Sequence, residues 1–135
     1  MDVESLRKLL VILIDNASRI LRAQFGVDRA ETTFFDIIEL LREEPALRHD
    51  FLALVENTLE RHDPSGLGQG YVPRELTELA VHELRWPEFQ KLAEARIQRV
   101  FGGDAALAIS DVASSISEAY RNDWEDREFY RRYGA

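Results

Sequence analysis

The residues best suited to chemistry lie in one short segment, between Pro73 and Pro87. Within it, Glu75, Glu78 and His82 follow one another at spacings of three and four residues, which places side chains on one face of a helix. Carboxylate and imidazole groups on one helix face can bind a metal ion. The Glu-x-x-His motifs of two-metal helical bundles occur in pairs, however, and this chain contains no such pair. We therefore interpret the three residues as a solvated face and expect no metal site and no cofactor.

Glu83 differs from these neighbours because it falls among the apolar positions of the same helix. A carboxylate on an apolar face is costly unless it is paired. We expect an ion pair with an arginine such as Arg42 or Arg96, or a hydrogen bond from the indole N–H of Trp86. The alternative is a pocket near His82, Glu83 and Trp86, in which burial raises the pKa of the Glu83 carboxyl and makes it a general base.

The C-terminal residues 122–135 form a tail that combines aromatic and arginine side chains. Tyrosine, tryptophan and arginine are enriched at the hot spots of protein–protein interfaces. Either the tail folds back and completes the core, or it stays exposed, in which case such an aromatic patch needs a partner. The candidate interaction residues are Trp124, Arg127, Phe129, Tyr130 and Tyr133.

Residues 62–72 are predicted to form one long loop, because three glycines and a proline there oppose a regular element. A phosphate-binding loop would need a following Gly-Lys-Ser/Thr, and a dinucleotide-binding loop a preceding strand; neither is present. A calcium loop beginning at Asp63 would need a glutamate at its twelfth position, where Arg74 stands. We interpret the segment as a surface loop that is available for contacts.

Composition excludes several classes of function. The 135 residues suit one domain, and a net charge of −8 argues against binding to nucleic acid or to an anionic membrane surface. The chain has no cysteine, which excludes disulfides and thiol catalysis and is compatible with a cytoplasmic location. Its basic residues are 15 arginines and 2 lysines, a bias that points to a GC-rich bacterial coding sequence.

The spacing of apolar residues predicts an all-α chain of about six helices in a compact bundle. The run Leu9–Ile14 is apolar nearly all round, so we expect the first helix to be central and buried. Asp104 is expected to cap the sixth helix, with Leu107 and Ile109 inside. Part of the tail is expected to be helical. The predicted helices cover residues 3–25, 33–43, 45–61, 73–86, 87–101 and 104–120.

An alternative architecture is suggested by two prolines. Pro45 and Pro87 each open a helix directly after another helix ends, and they lie 42 residues apart. This separation resembles the period of HEAT and armadillo repeats, which are stacks of helical hairpins. The apolar pattern does not repeat with it, because Leu40 would align with His82. A compact bundle and a short HEAT-like stack therefore both remain open.

These observations favour a non-enzymatic, acidic protein-interaction module, without catalytic residues. It would act as an adaptor, as a toxin-neutralising or immunity-type protein, or as a homodimer. Its partner would be another protein or a second copy of itself. The alternative is a small helical ligand-binding or hydrolytic domain that uses the pocket near His82, Glu83 and Trp86.

Overall fold

The computed structural model describes residues 1–61, 65 and 70–134, and over these residues the regular structure is entirely helical. The predicted all-α bundle of six helices is therefore confirmed. Most of the predicted glycine-rich loop lies outside the described residues. Among the described helices, none has both the length and the apolarity needed to cross a membrane. The α-helices are α1 (Val3–Arg22), α2 (Val27–Glu43), α3 (Arg48–Leu59), α4 (Arg74–Leu84), α5 (Pro87–Phe101) and α6 (Val112–Ala119).

In the described parts of the chain, three short 3-10 helices complete the regular structure, at Pro45–Leu47, Glu125–Phe129 and Arg131–Tyr133. The last two lie in the C-terminal tail, which is thus helical in part, as predicted.

Two helix ends show how local side-chain and backbone chemistry sets where a helix begins and ends. The Asp2 carboxylate accepts a hydrogen bond from the Ser5 backbone N–H at 2.7 Å and caps α1. Gly102 ends α5 in the left-handed conformation, at φ 62°.

The helix α4, not α1, occupies the centre of the bundle. Residues 76–82 of α4 are buried without interruption, which leaves this part of the helix no solvent face. It packs against α2 on one side and α6 on the other. The buried side chains of α4 belong to the same core as Phe34 of α2, Phe51 of α3 and Phe89 of α5. A helix in this position is surrounded by protein on all sides.

The prediction that the first helix is central was wrong. Helix α1 packs mainly against α2 and buries one stripe of side chains, among them Leu6, Leu10 and Ile14. Val11 and Ile12 lie on its other side and are 42% and 56% exposed. Apolar residues all round a helix show that burial would be favourable, but they do not supply a second element to cover the outer face.

The sixth helix begins later than predicted. Asp104 caps only a turn, where its carboxylate accepts the Ala106 backbone N–H at 3.0 Å. The residues that follow form turns, and Leu107 and Ile109 are 66% and 76% exposed, not inside as predicted. The true cap is Asp111, whose Oδ2 accepts the Ala113 backbone N–H at 3.0 Å.

Asp111 also forms a buried ion pair with Arg96 that joins three helices. The guanidinium of Arg96 on α5 donates to both carboxylate oxygens of Asp111, at 2.7 and 2.9 Å. Its remaining nitrogen donates to the backbone carbonyl of Leu59, at the end of α3, at 2.6 Å. Burial makes this pair costly to break, because either partner alone would leave an uncompensated charge.

We expect Asp111→Asn to lower the free energy of unfolding by about 3 kcal/mol, since asparagine keeps the helix cap but strands the buried Arg96 guanidinium. Urea denaturation monitored by circular dichroism measures the loss. The control is Asp123→Asn, which breaks the solvent-exposed pair with Arg121 and should leave stability unchanged. Equal stability of both variants would contradict a structural role for the Arg96–Asp111 pair.

Candidate functional site

The C-terminal segment, residues 122–134, folds back onto the bundle. The ring of Tyr130 lies 6.0 Å from that of Phe35 on α2, in an edge-on arrangement. The carboxylate of Glu31 accepts the backbone N–H groups of Arg131 and Arg132 at 2.8 and 3.1 Å, which fixes the end of the segment against α2. The sequence left open whether this segment folds back or stays exposed. In the structure it folds back and completes the core.

The five candidate interaction residues have different positions in this arrangement. Trp124 and Tyr130 are buried members of the core. Tyr133 is half-buried, and the guanidinium carbon of Arg127 lies 3.9 Å from the centre of its ring. Phe129 alone among the five presents an exposed apolar side chain, at 58%. Most of the aromatic surface expected to meet a partner is thus used inside the chain, because α2 and α4 offer apolar surface for it to cover.

His82 lies beneath this segment and does not face solvent, contrary to the prediction. Its Nδ1 is 2.8 Å from the backbone carbonyl oxygen of Ala119, and its Nε2 is 2.7 Å from Nη1 of Arg127. A guanidinium only donates hydrogen bonds and a carbonyl only accepts them, so Nδ1 carries the proton and Nε2 is the acceptor. Burial lowers the pKa of the imidazole, and the positive charges of Arg127 and Arg85 lower it further. Both ring nitrogens are therefore engaged in the neutral form.

Glu83 is paired as predicted, with Arg42. Its Oε1 accepts from Nη2 of Arg42 at 2.9 Å, and its Oε2 accepts from the Tyr133 hydroxyl at 2.6 Å. Burial acts to raise the pKa of the Glu83 carboxyl, but the hydrogen bonds from Tyr133 and Arg42 outweigh it and hold that pKa below its usual value. Glu83 is thus an ionised carboxylate with both oxygens occupied.

The three residues of the alternative pocket are divided between two sides of the fold. His82 and Glu83 contact the C-terminal segment. Trp86 instead stacks on Phe89 at 5.5 Å between ring centres, with the Arg48 guanidinium 4.7 Å from the centre of its ring. The structure therefore joins His82 to Glu83 through Tyr133 and Arg127, and gives Trp86 a separate environment.

Glu78 is the buried carboxyl that the sequence reasoning missed. It is only 5% exposed, and its nearest cation is Arg74, whose Nε lies 3.7 Å from Oε1. Burial raises the pKa of Glu78 to about 7, an effect that Arg74 opposes and that the charges of Asp126 and Glu75 reinforce. A helical wheel places Glu78 outside because it assumes that α4 has a solvent face. No local sequence signal marks this position, because the residues that surround Glu78 come from α6 and from the C-terminal segment.

Glu78 lines a cleft of about 370 Å³ between α4, α6 and the C-terminal segment. We name it the acidic cleft, because five carboxylates face one guanidinium. Among the described residues, no three histidine, aspartate or glutamate side chains are grouped as ligands for a metal ion. The lining residues are Arg74, Glu75, Glu78, Ser115, Glu118, Trp124, Glu125 and Asp126.

Comparison of the chain with protein-family models, with curated proteins and with solved structures finds no match. Both ring nitrogens of His82 and both carboxylate oxygens of Glu83 are engaged in hydrogen bonds within the chain. The acidic cleft, by contrast, holds more negative charge than the chain neutralises there.

Between pH 5 and pH 8, the free energy of unfolding of the wild type should fall by about 2 kcal/mol more than that of the Glu78→Gln variant. The folded-state pKa of Glu78 is raised, so its protonated form is favoured in the folded protein and this contribution is lost as the pH rises through about 7. Urea denaturation of both proteins at the two pH values measures the difference. Parallel pH profiles for the two proteins would contradict a raised pKa.

Proposed function

We propose that the chain is a non-enzymatic protein-interaction module that binds a basic segment of a partner protein in the acidic cleft. The observation that carries this proposal is the cleft lining, in which five carboxylates face the single guanidinium of Arg74. The net charge of the whole chain, −8, has the same sign and would accelerate the approach of a basic partner. A cytoplasmic location remains part of the proposal.

The buried carboxyl of Glu78 favours the binding of a cation in the cleft. At 5% exposure it cannot be solvated well, and its pKa of about 7 means that ionisation is costly there. A guanidinium or ammonium group entering the cleft would stabilise the ionised form. Binding of a basic group and loss of the Glu78 proton are therefore coupled, and affinity should increase as the pH rises from 6 to 8.

The dimensions of the cleft suit side chains of a protein. A volume of about 370 Å³ lies near the lower end of the range for small-molecule pockets and accommodates one or two long basic side chains. Ser115 on α6 and Trp124 in the C-terminal segment complete its walls. The polar lining offers hydrogen-bond acceptors for a guanidinium fork, which favours arginine over lysine.

A short arginine-rich synthetic peptide tests the proposal, with the same peptide carrying glutamine at every arginine as its control. We expect NMR titration at low salt to shift the signals of the Trp124 indole and of the amides around the cleft, with the arginine peptide only. Glu78→Gln and Asp126→Asn should each weaken binding about tenfold, because each removes a carboxylate that the peptide would neutralise.

Glu43→Gln is the matched control variant, since Glu43 is an exposed acid at the end of α2 that does not line the cleft. It should bind the peptide like the wild type. If all three variants weaken binding equally, the peptide recognises only the overall negative charge, and the cleft is not the binding site. If the wild type shows no shifts at pH 8, the proposal fails.

A further inference from the structure

The outer face of α1 combines two exposed apolar residues with four charged ones. Val11 and Ile12 lie next to each other on this face, away from the buried stripe of Leu6 and Leu10. The charged residues precede and follow them at steps of three and four, so all six lie on one side of the helix. In chain order they are Glu4, Lys8, Val11, Ile12, Asp15 and Arg19.

The charges on this face are available for contacts outside the chain. Within the described residues, Lys8, Asp15 and Arg19 form no ion pair. Glu4 has a distant partner, Arg7, at 3.9 Å, and Arg7 itself contacts Asp50 more closely, at 3.0 Å. Glu4, Lys8 and Arg19 are exposed and Asp15 is half-buried, so charges of both signs surround the exposed apolar pair.

The order of these charges is self-complementary when the helix is reversed. Along α1 the pattern is acid, base, apolar pair, acid, base. In an antiparallel pair of α1 helices related by a two-fold axis between Val11 and Ile12, Lys8 of each copy lies opposite Asp15 of the other. Glu4 likewise lies opposite Arg19. A parallel pair would instead set like charges against each other, which is unfavourable.

We propose that the outer face of α1 is the docking surface for a second copy of this chain, which packs antiparallel across it and forms a homodimer. Each contact then occurs twice, as two-fold symmetry requires of an isologous interface. The apolar pair lies at the centre and the charges form the rim, the arrangement usual in specific interfaces. None of these residues lines the acidic cleft, so this proposal and the proposed function fail independently.

The expected dimer is reversible and sensitive to salt. Helix α1 has 20 residues and is about 30 Å long, so one helix per copy forms an interface at the small end of the specific range. Ion pairs at the rim of such an interface are screened by salt. We therefore expect association in the micromolar range at low ionic strength that weakens as sodium chloride is added.

Sedimentation velocity of the full chain over a concentration series at low salt provides the test. Lys8→Asp should weaken dimerisation at least tenfold, because in the dimer it places an aspartate opposite Asp15 of the other copy, and this repulsion occurs twice. Reversing the partner as well, in the double variant Lys8→Asp, Asp15→Lys, should restore most of the affinity. Lys91→Asp, a reversal at the other lysine of the chain, exposed on α5, should leave dimerisation unchanged.

Circular dichroism and thermal unfolding establish that each variant is folded, as expected because Lys8 and Lys91 are exposed and Asp15 is half-buried. Dimerisation of the wild type, its loss in Lys8→Asp and its recovery in the double variant would together support the proposal. A wild type that stays monomeric at about 1 mM would overturn it. So would equal dimerisation of Lys8→Asp and Lys91→Asp, or a double variant that is folded and still monomeric.

Discussion

The neutral imidazole of His82 connects the central helix α4 to α6 and to the C-terminal segment, and the placement of that segment depends on it. One ring nitrogen donates to the Ala119 carbonyl at the end of α6, and the other accepts from Arg127 in the C-terminal segment. The ring also lies 4.8 Å from that of Trp124. Only one tautomer satisfies both hydrogen bonds, and a buried polar network of this kind stabilises a fold when every member is satisfied.

The same placement creates the acidic cleft. When the C-terminal segment closes over α4, it brings Glu125 and Asp126 to the cleft that contains Glu78. Burial of apolar surface by Trp124 and Tyr130 offsets the electrostatic cost of this arrangement. The cost that remains is the unfavourable ionisation of one buried carboxyl, which raises the pKa of Glu78. We infer that a basic partner would relieve it, which links the closure of the core to the proposed binding.

Local sequence signals predicted the number of helices and several of their ends, although α2 begins at Val27, earlier than predicted, and α6 at Val112, later than predicted. They predicted long-range packing poorly. Pro87 and Gly102 mark helix ends in any context, because their effects on the backbone are local. A lone carboxylate at an apolar position, Glu83, correctly indicated an arginine partner. The wheel misplaced His82 because the helix has no exposed face there, and the covering residues come from more than 35 positions later. Val11 was misplaced for the opposite reason, since it stays 42% exposed and no described part of the chain buries it.

The central claim is that the C-terminal segment belongs to the core, and Trp124→Ala tests it most directly. Its free energy of unfolding, measured by urea denaturation, should fall by about 3–5 kcal/mol, because the change removes a buried aromatic side chain. Phe129→Ala, at an exposed aromatic of the same segment, should stay within about 0.5 kcal/mol of the wild type. A Trp124→Ala protein as stable as the Phe129→Ala protein would contradict the account.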